Sequence, residues 1–286
     1  MLSRYGIFCA VMEAGGFTRA AEQIGYSQSS VSQTVRGLEQ ELGITLIERR
    51  RDGLVLTSDG RQFMPYIQAI HSAERALEEK RRELSGLEQS TISIGTFTSV
   101  SRNLLPGRME AFKAMYPSVR FVLRQGEYTS ISRWIREGAL DLGFISTEII
   151  TDLENETLLR DAMMAVLPPE HPLARQETVT LGELSAEPFI LLDEGERSIL
   201  LDAFARRGLT PRVEYTVTDD YSILAMVSQG LGVSAVYDLM LTGLDRALAV
   251  RPIRERPERT IALAWNRWDT LPLAARRFAE FILRDR

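Results

Sequence analysis

Apolar residues recur at helical spacing through the first third of the chain, and strand-like and helix-like runs then alternate to its end. Leu2, Ile7, Phe8, Val11 and Met12 predict a first helix over Leu2–Ala14, stopped by Gly15-Gly16. In the stretch Phe17–Gly43, Ala20, Ala21 and Ile24 mark a short second helix with Thr18 as its expected N-cap. Gly25 supplies the backbone freedom that ends it, and Ser27 is placed to cap a third helix. There Val31, Val35, Leu38 and Leu42 fall on one stripe that packs inward. Leu46–Arg51 reads as extended, Asp52-Gly53 as a hairpin turn and Leu54–Leu56 as the returning strand. Thr57 then caps a helical run from Ser58 to about Glu88. Phe63, Tyr66, Ile70, Ala73, Leu77, Lys80, Leu84 and Leu87 alternate three and four apart along it. Only Lys80 interrupts the apolar seam, and Pro65 is positioned to kink the run near its start. A seam of that length predicts a coiled-coil partner, most simply a second copy of the chain; the other reading is a long helix lying on its own domain.

From Thr91 the texture becomes strand (TISIGTF), helix (Leu104–Met115), strand (Val119–Arg124), helix (Ile131–Glu137) and strand (Leu140–Ile145). A second block follows, with AMMAVL near Ala162, FILLD, a helix over Ile199–Arg207 and a strand over Val213–Val217. It continues with a helix over Tyr221–Gln229, a strand over Gly232–Tyr237 and a last strand over Ile261–Trp265; Leu273–Leu283 closes as a helix. Two such blocks imply two small α/β lobes with a cleft between them. The expected division is 1–57, 58–90 and 91–286, with one lobe at about 91–161 plus 266–286 and the other at about 162–265.

Length and composition sharpen this picture without changing it. A chain of 286 residues, 44% apolar and 26% charged, has the make-up of a globular protein of two or three domains. MLSRYGIFCAVMEAG lacks the apolar core of a secretory signal, and no window of about 18 uncharged apolar residues occurs, so a cytoplasmic protein without a membrane span is expected. Cys9 is the only cysteine, which excludes an intrachain disulfide and a multi-cysteine metal site. The net charge of −5 argues against a sequence-independent DNA condenser. Up to Thr57, however, six Arg balance six acids, so the excess negative charge lies beyond that point.

The polar face of the third helix carries Gln28, Ser29, Ser32, Gln33 and Arg36. Gln pairs with adenine, Arg with guanine, and Ser with a base or a phosphate. A helix pair with small residues at its crossing has the form of a helix-turn-helix, whose second helix enters the major groove. By itself it reads first as a helical hairpin with a solvated face. The hairpin that follows, with Arg49, Arg50 and Arg51 at its tip, makes the DNA-binding reading the more specific. The rival class is an enzymatic or small-molecule-binding α/β protein with a helical interaction module. Neither His71 nor His171 is placed to serve a nucleophile. Gly25-Tyr26-Ser27 and Gly232-Val233-Ser234 both lack the second Gly of a nucleophile elbow. GLGVSA at 230–235 follows a helix and precedes a strand, the reverse of a dinucleotide-binding fingerprint.

Taken together these residues resemble the LysR-type transcriptional regulators over essentially the whole chain. The specific part is AAEQIGYSQSSVSQTVRGLEQELGITLIERR followed by Leu56-Thr57 and Gly60; HPLA at His171–Ala174 and VSQGLGVS at Val227–Ser234 match more weakly. The resemblance implies a winged helix-turn-helix, a dimerising linker helix and a two-lobed α/β effector domain of periplasmic-binding-protein type II. It implies tetramers that repress or activate promoters in response to a small molecule, with RNA polymerase a possible partner and no cofactor beyond that effector. Carried over by position, the DNA readers are Gln28, Ser29, Ser32, Gln33 and Arg36, with Arg50 or Arg51 in the wing. The effector is expected at Thr98, Ser99, Val100 and Ser101, joined at other strand ends by Gln125, Thr129, Ser146, Asp193 and Thr218. Arg102 is a candidate positive charge there, set against Glu127, Asp193, Glu194, Glu196, Asp219 and Asp220, so the effector's charge is open. The sequence departs from the family pattern at Ile47, where Phe is usual, at Val55, often basic, and at Tyr237, often Pro.

Overall fold

The structure, a computed structural model, describes residues 2–50, 53–84, 90–195, 197–243 and 248–284, and for 49–50, 76 and 79–84 the backbone alone. Two compact units result: one is built mainly from residues 1–89, the other mainly from the rest of the chain.

The first unit opens with α1 (Arg4–Ala14), α2 (Phe17–Ile24) and α3 (Gln28–Leu42). Ser3 caps α1 by accepting from the Gly6 N–H at 3.1 Å, and Ser27 caps α3 by accepting from the Ser30 N–H at 3.2 Å. Each cap satisfies an amide that the helix itself leaves without a partner. Between α2 and α3, Gly25 sits at φ 72°, a left-handed conformation that costs a residue with a Cβ about 1–2 kcal/mol. The α2 start differs from expectation. Gly16 occupies the N-cap with extended backbone and no side-chain bond, Thr18 lies inside the first turn, and Phe17, half-buried against the unit's core, opens the helix.

Val31, Val35 and Leu38 of α3 are buried against Ile7, Phe8, Val11, Ala20, Ala21, Leu46 and Ile67. Each such large aliphatic side chain contributes about 1.5–3 kcal/mol relative to exposure. β1 (Ile47–Arg50) and β2 (Gly53–Leu56) pair antiparallel from Ile47↔Leu56 to Arg50↔Gly53, forming the wing. Arg51 and Asp52, expected at its tip, lie outside the described residues. Glu39 ties the wing to α3: its Oε1 accepts from the Leu46 N–H at 2.8 Å and the Ile47 N–H at 3.3 Å. α4 (Ser58–Leu84) begins at Thr57, whose Oγ1 accepts from the Gly60 N–H at 2.9 Å, and Pro65 lies within it. Residues 85–89, where the expected helix was to end, and the Lys80, Leu84 and Leu87 side chains lie outside the described set. Of the seam positions that are described, Tyr66 is 71% and Leu77 72% exposed, and Phe63 and Ile70 are also exposed.

The second unit is organised on a curled sheet. It runs from β3 (Thr91–Thr96) through α5 (Thr98–Asn103) and α6 (Leu105–Met115) to β4 (Arg120–Gln125), then α7 (Tyr128–Arg136), β5 (Leu142–Ser146) and the long β6 (Glu154–Leu167). α8 (Leu181–Ala186), β7 (Pro188–Leu192), α9 (Ile199–Arg206), β8 (Arg212–Val217), α10 (Asp220–Ser228) and β9 (Ser234–Tyr237) follow. α11 (Asp238–Leu241), β10 (Ala249–Pro252), β11 (Glu258–Trp265) and α12 (Leu273–Arg284) complete it. The strand order is β10-β6-β11-β5-β3-β4, with β9 also on β6, while β7 and β8 form a separate parallel pair. β3 is parallel to β4 and β5, and β11 is antiparallel to β5 and β6.

β6 is shared by both lobes. Glu154–Ala162 pairs with β11 in the first lobe, and Met163–Leu167 pairs with β9 and β10 in the second. The last strand, expected to close the second lobe, therefore hydrogen-bonds into the first: Ile261 opposes Ser146 of β5. That pairing puts the chain's return at the start of β11 rather than at residue 266. α5, absent from the sequence reading, takes up the residues expected at the end of β3, and its C-terminal end leads directly into α6. Phe112 and Phe278 seal the first lobe, 4.9 Å apart and edge to face. Phe189 and Phe204 do the same in the second at 5.8 Å.

Candidate functional site

On the first unit, α3 leaves Gln28, Ser29, Gln33 and Arg36 exposed and Ser32 half-buried on the face opposite its buried stripe. Ser29 Oγ lies 3.0 Å from Ser27 Oγ, which holds it at the capped end of the helix. The Arg50 side chain and all of Arg51 lie outside the described residues.

In the second unit a cavity of about 500 Å³ lies between the lobes. The first lobe contributes Phe97, Thr98, Ser99, Gln125, Glu127 and Tyr128, the second Asp193, Glu194, Gly195, Thr218 and Asp220, and Arg259 of β11 reaches it from the crossing strand. Five of the sequence candidates are thus brought together: Thr98, Ser99, Gln125, Asp193 and Thr218. Four are not. Val100 is a fully buried core residue. Ser101 Oγ donates to the Thr98 carbonyl at 3.1 Å and accepts from Gln125 Nε2 at 2.9 Å, so it steers Gln125 from behind the wall. Ser146 is buried and donates to Glu148 at 2.8 Å, and Thr129 follows the wall residue Tyr128 without lining the cavity. Arg102 lies over the Tyr221 ring, 4.2 Å from its centre, outside the lining. Asp219 is the N-cap of α10, accepting from the Ser222 N–H at 2.8 Å. Glu196 lies outside the described residues.

The residue that organises the cavity is Arg259, which the sequence reading passed over. It is 4% exposed and stands directly across the ladder from Asp161, itself 2% exposed, at the point where β6 passes from one lobe to the other. Arg259 Nε and Nη2 donate to Asp161 Oδ2 at 3.0 and 2.6 Å. Nη2 also donates to Ser99 Oγ at 2.7 Å, and Nη1 donates to Tyr128 Oη at 2.8 Å. The guanidinium lies over the Tyr237 ring at 3.6 Å and the Phe97 ring at 4.6 Å. Asp161 Oδ1 meanwhile accepts from the Leu239 N–H at 2.9 Å, which joins β6 to α11. Two buried charges are tolerated here because nearly every polar atom of the pair is hydrogen-bonded. Burial alone disfavours the Arg259 cation; Tyr128, Asp161 and Tyr237 outweigh it and hold the guanidinium protonated.

The carboxylates around the cavity are shifted the other way. Burial pushes Glu194 above the ordinary carboxylate range, although Tyr237 Oη and Ser198 Oγ donate to it at 2.9 and 3.0 Å. Burial, with Asp219 and Asp161 nearby and against the pull of Arg259, lifts Asp220 to about 6. Burial also raises the Tyr128 phenol to about 12, so that it remains protonated. Gly195 closes the rim at φ 90°; a Cβ there would collide with the Glu127 carboxylate, so the glycine lets the two lobes approach. Among the described residues no group of three or more His, Cys, Asp or Glu is placed to hold a metal ion. Nor is any helix long and apolar enough to cross a membrane.

A winged helix-turn-helix with an open polar recognition face, followed by a two-lobed α/β unit with a ligand-sized cavity, defines a DNA-binding regulator that senses a small molecule. Two family profiles cover nearly all of the chain: "Bacterial regulatory helix-turn-helix protein, lysR family" over residues 2–61 and "LysR substrate binding domain" over 85–286. The chain belongs to the LysR family and is a transcriptional regulator, not an enzyme. It is 31% identical to the uncharacterized HTH-type transcriptional regulator YvbU of Bacillus subtilis, over 98% of this chain and 96% of that one. It is 30% identical to the transcriptional dual regulator GltC of the same organism, over 89% and 87%. Among solved structures, full-length OxyR of Pseudomonas aeruginosa shares the fold with a TM-score of 0.78 at 22% identity, over 99% and 94% of the two chains. CbnR, solved in complex with its target DNA, matches with a TM-score of 0.65 at 21% identity over 99% of both chains.

Proposed function

We propose that this regulator reads promoter DNA through Gln28, Ser29, Ser32, Gln33 and Arg36 of α3, with Arg50 or Arg51 of the wing on the backbone. It does so as a homodimer joined along the α4 seam and further paired into a tetramer. A small molecule in the cavity between the lobes modulates that binding, RNA polymerase is the downstream partner and the cytoplasm the site of action. The division into residues 1–57 for DNA, 58–90 for self-association and 91–286 for the effector belongs to the same proposal. The observation that carries it is the α3 face: five polar side chains held on a helix whose other side is locked into a core, with a wing fixed to its end by Glu39. The DNA complex of CbnR supports the mode of DNA contact. The CcmR regulatory domain of Synechocystis, solved with 2-PG, supports an effector in this unit.

The test is a gel shift of the full chain on its own promoter region. Arg36→Ala is expected to weaken specific binding by about 1–3 kcal/mol and to relax preference at one base position. Unchanged affinity and site preference would remove Arg36 from the reading face, and binding that survives deletion of residues 1–57 would overturn the domain assignment.

A further inference from the structure

Resting on the reading of the cavity as the effector site, we propose that the effector is an organic cation, an ammonium or guanidinium compound, bound by Glu194 and Asp220 against the aromatic wall of Phe97 and Tyr128. Three observations converge on a positive ligand. The single positively charged side chain among the described lining residues, Arg259, is already engaged. Asp161, Ser99 and Tyr128 take four of its five N–H groups, and Phe97 and Tyr237 cover its ring-like plane. An anion entering the cavity would therefore find no free cation to pair with, and Asp161 has already neutralised the one present. Four carboxylates line the space, Glu127, Asp193, Glu194 and Asp220, and they come from both lobes.

The hydrogen bonds point the same way. Glu194 accepts from Tyr237 and Ser198, so its oxygens are oriented as acceptors with lone pairs left over. Among the described residues, no side-chain hydrogen bond to Asp220 accompanies its backbone one. A cavity of acceptors beside two aromatic rings suits a donor-rich cation, which gains charge-assisted hydrogen bonds and a cation–π contact together. The hydroxyls of Thr98 and Thr218 remain for the neutral part of such a molecule. Glu127, already against Gly195 of the other lobe, adds its carboxylate at the rim.

The experiment is a thermal-shift and calorimetric titration of the full chain with agmatine and 1,4-diaminobutane as cationic probes and succinate and inorganic phosphate as anionic ones. At about pH 7.5 at least one amine should raise the melting temperature at millimolar concentration. Asp220 faces Arg259, Asp161, Asp219 and Glu194, and it takes up a proton as the pH falls toward about 5.5, so the amine's affinity should fall over that range. Glu194→Gln and Asp220→Asn should each cost the amine roughly tenfold or more in Kd. Absence of a shift with both amines overturns the charge assignment. If succinate or phosphate then binds and Thr98→Val weakens it, the effector cavity itself stands. Amine binding untouched by Glu194→Gln, Asp220→Asn and Thr98→Val overturns both readings.

Discussion

The Arg259–Asp161 pair makes a quantitative prediction. Both side chains are almost fully buried, and at an effective dielectric near 20 two charges about 4 Å apart attract by about 4 kcal/mol. Asp161→Asn keeps the shape and the acceptor for the Leu239 N–H but leaves the Arg259 cation without its counter-charge. Breaking a buried pair from one side costs about 3–5 kcal/mol. The expected loss lies at the low end, about 3 kcal/mol, because Glu194 and Asp220 still face the guanidinium. Arg259→Met should cost a similar amount, since it strands Asp161 and also removes the donors to Ser99 and Tyr128. The double substitution removes both charges, so its cost should fall short of the sum by about 2 kcal/mol. Urea unfolding followed by tryptophan fluorescence reads mainly the effector unit, which holds two of the three tryptophans, Trp134 and Trp265. A loss under about 1 kcal/mol for Asp161→Asn, or additive single costs, would refute the pairing and leave Arg259 free to take an anion.

Three further outcomes are expected. Asp220 has a folded-state pKa of about 6 against an ordinary 3.8, so folding favours its protonated form. Whatever stability that lends is complete below the ordinary value and is lost as the pH rises through 6; Asp220→Asn should therefore stabilise the chain by about 1–3 kcal/mol near pH 7.5 and hardly at all near pH 4 in urea titrations. Leu77→Glu, at a seam position 72% exposed, should shift the chain toward monomer in sedimentation velocity without lowering its melting temperature when dilute; an unchanged assembly would take α4 out of the interface. Ser27→Ala removes the cap of α3 and should cost the first unit about 1 kcal/mol in thermal unfolding, where an unchanged midpoint would mean that water serves the Ser30 amide equally well.

The first unit was legible because its rules are local. The stripe Val31, Val35, Leu38, the cap at Ser27, the glycine turn at Gly25 and the antiparallel wing all follow from periodicity and capping within a few residues. Thr18 does not cap α2, because Gly16 and the half-buried Phe17 set the helix start together. In the second unit the reading began β6 at Ala162, since ENETLLRD shows too few apolar residues to mark a strand; pairing with β11 supplies what composition does not. Tyr237 carries a signal whose meaning needs the fold. It departs from the family pattern, and its ring lies under Arg259 while its hydroxyl holds Glu194.

By itself, then, the sequence determined the helix-turn-helix with its wing, the long helix after it, most of the later strands and helices, and the family. Strand ends also supplied five of the cavity's residues, because a βα junction is written in consecutive positions. Only the tertiary structure decided that Arg259 meets Asp161, Ser99 and Tyr128, contacts that span 98, 160 and 131 positions of chain. No periodicity encodes a contact of that reach. The charge of the cavity depends on it, since whether an arginine is free for a ligand or already neutralised is settled by what the fold sets beside it.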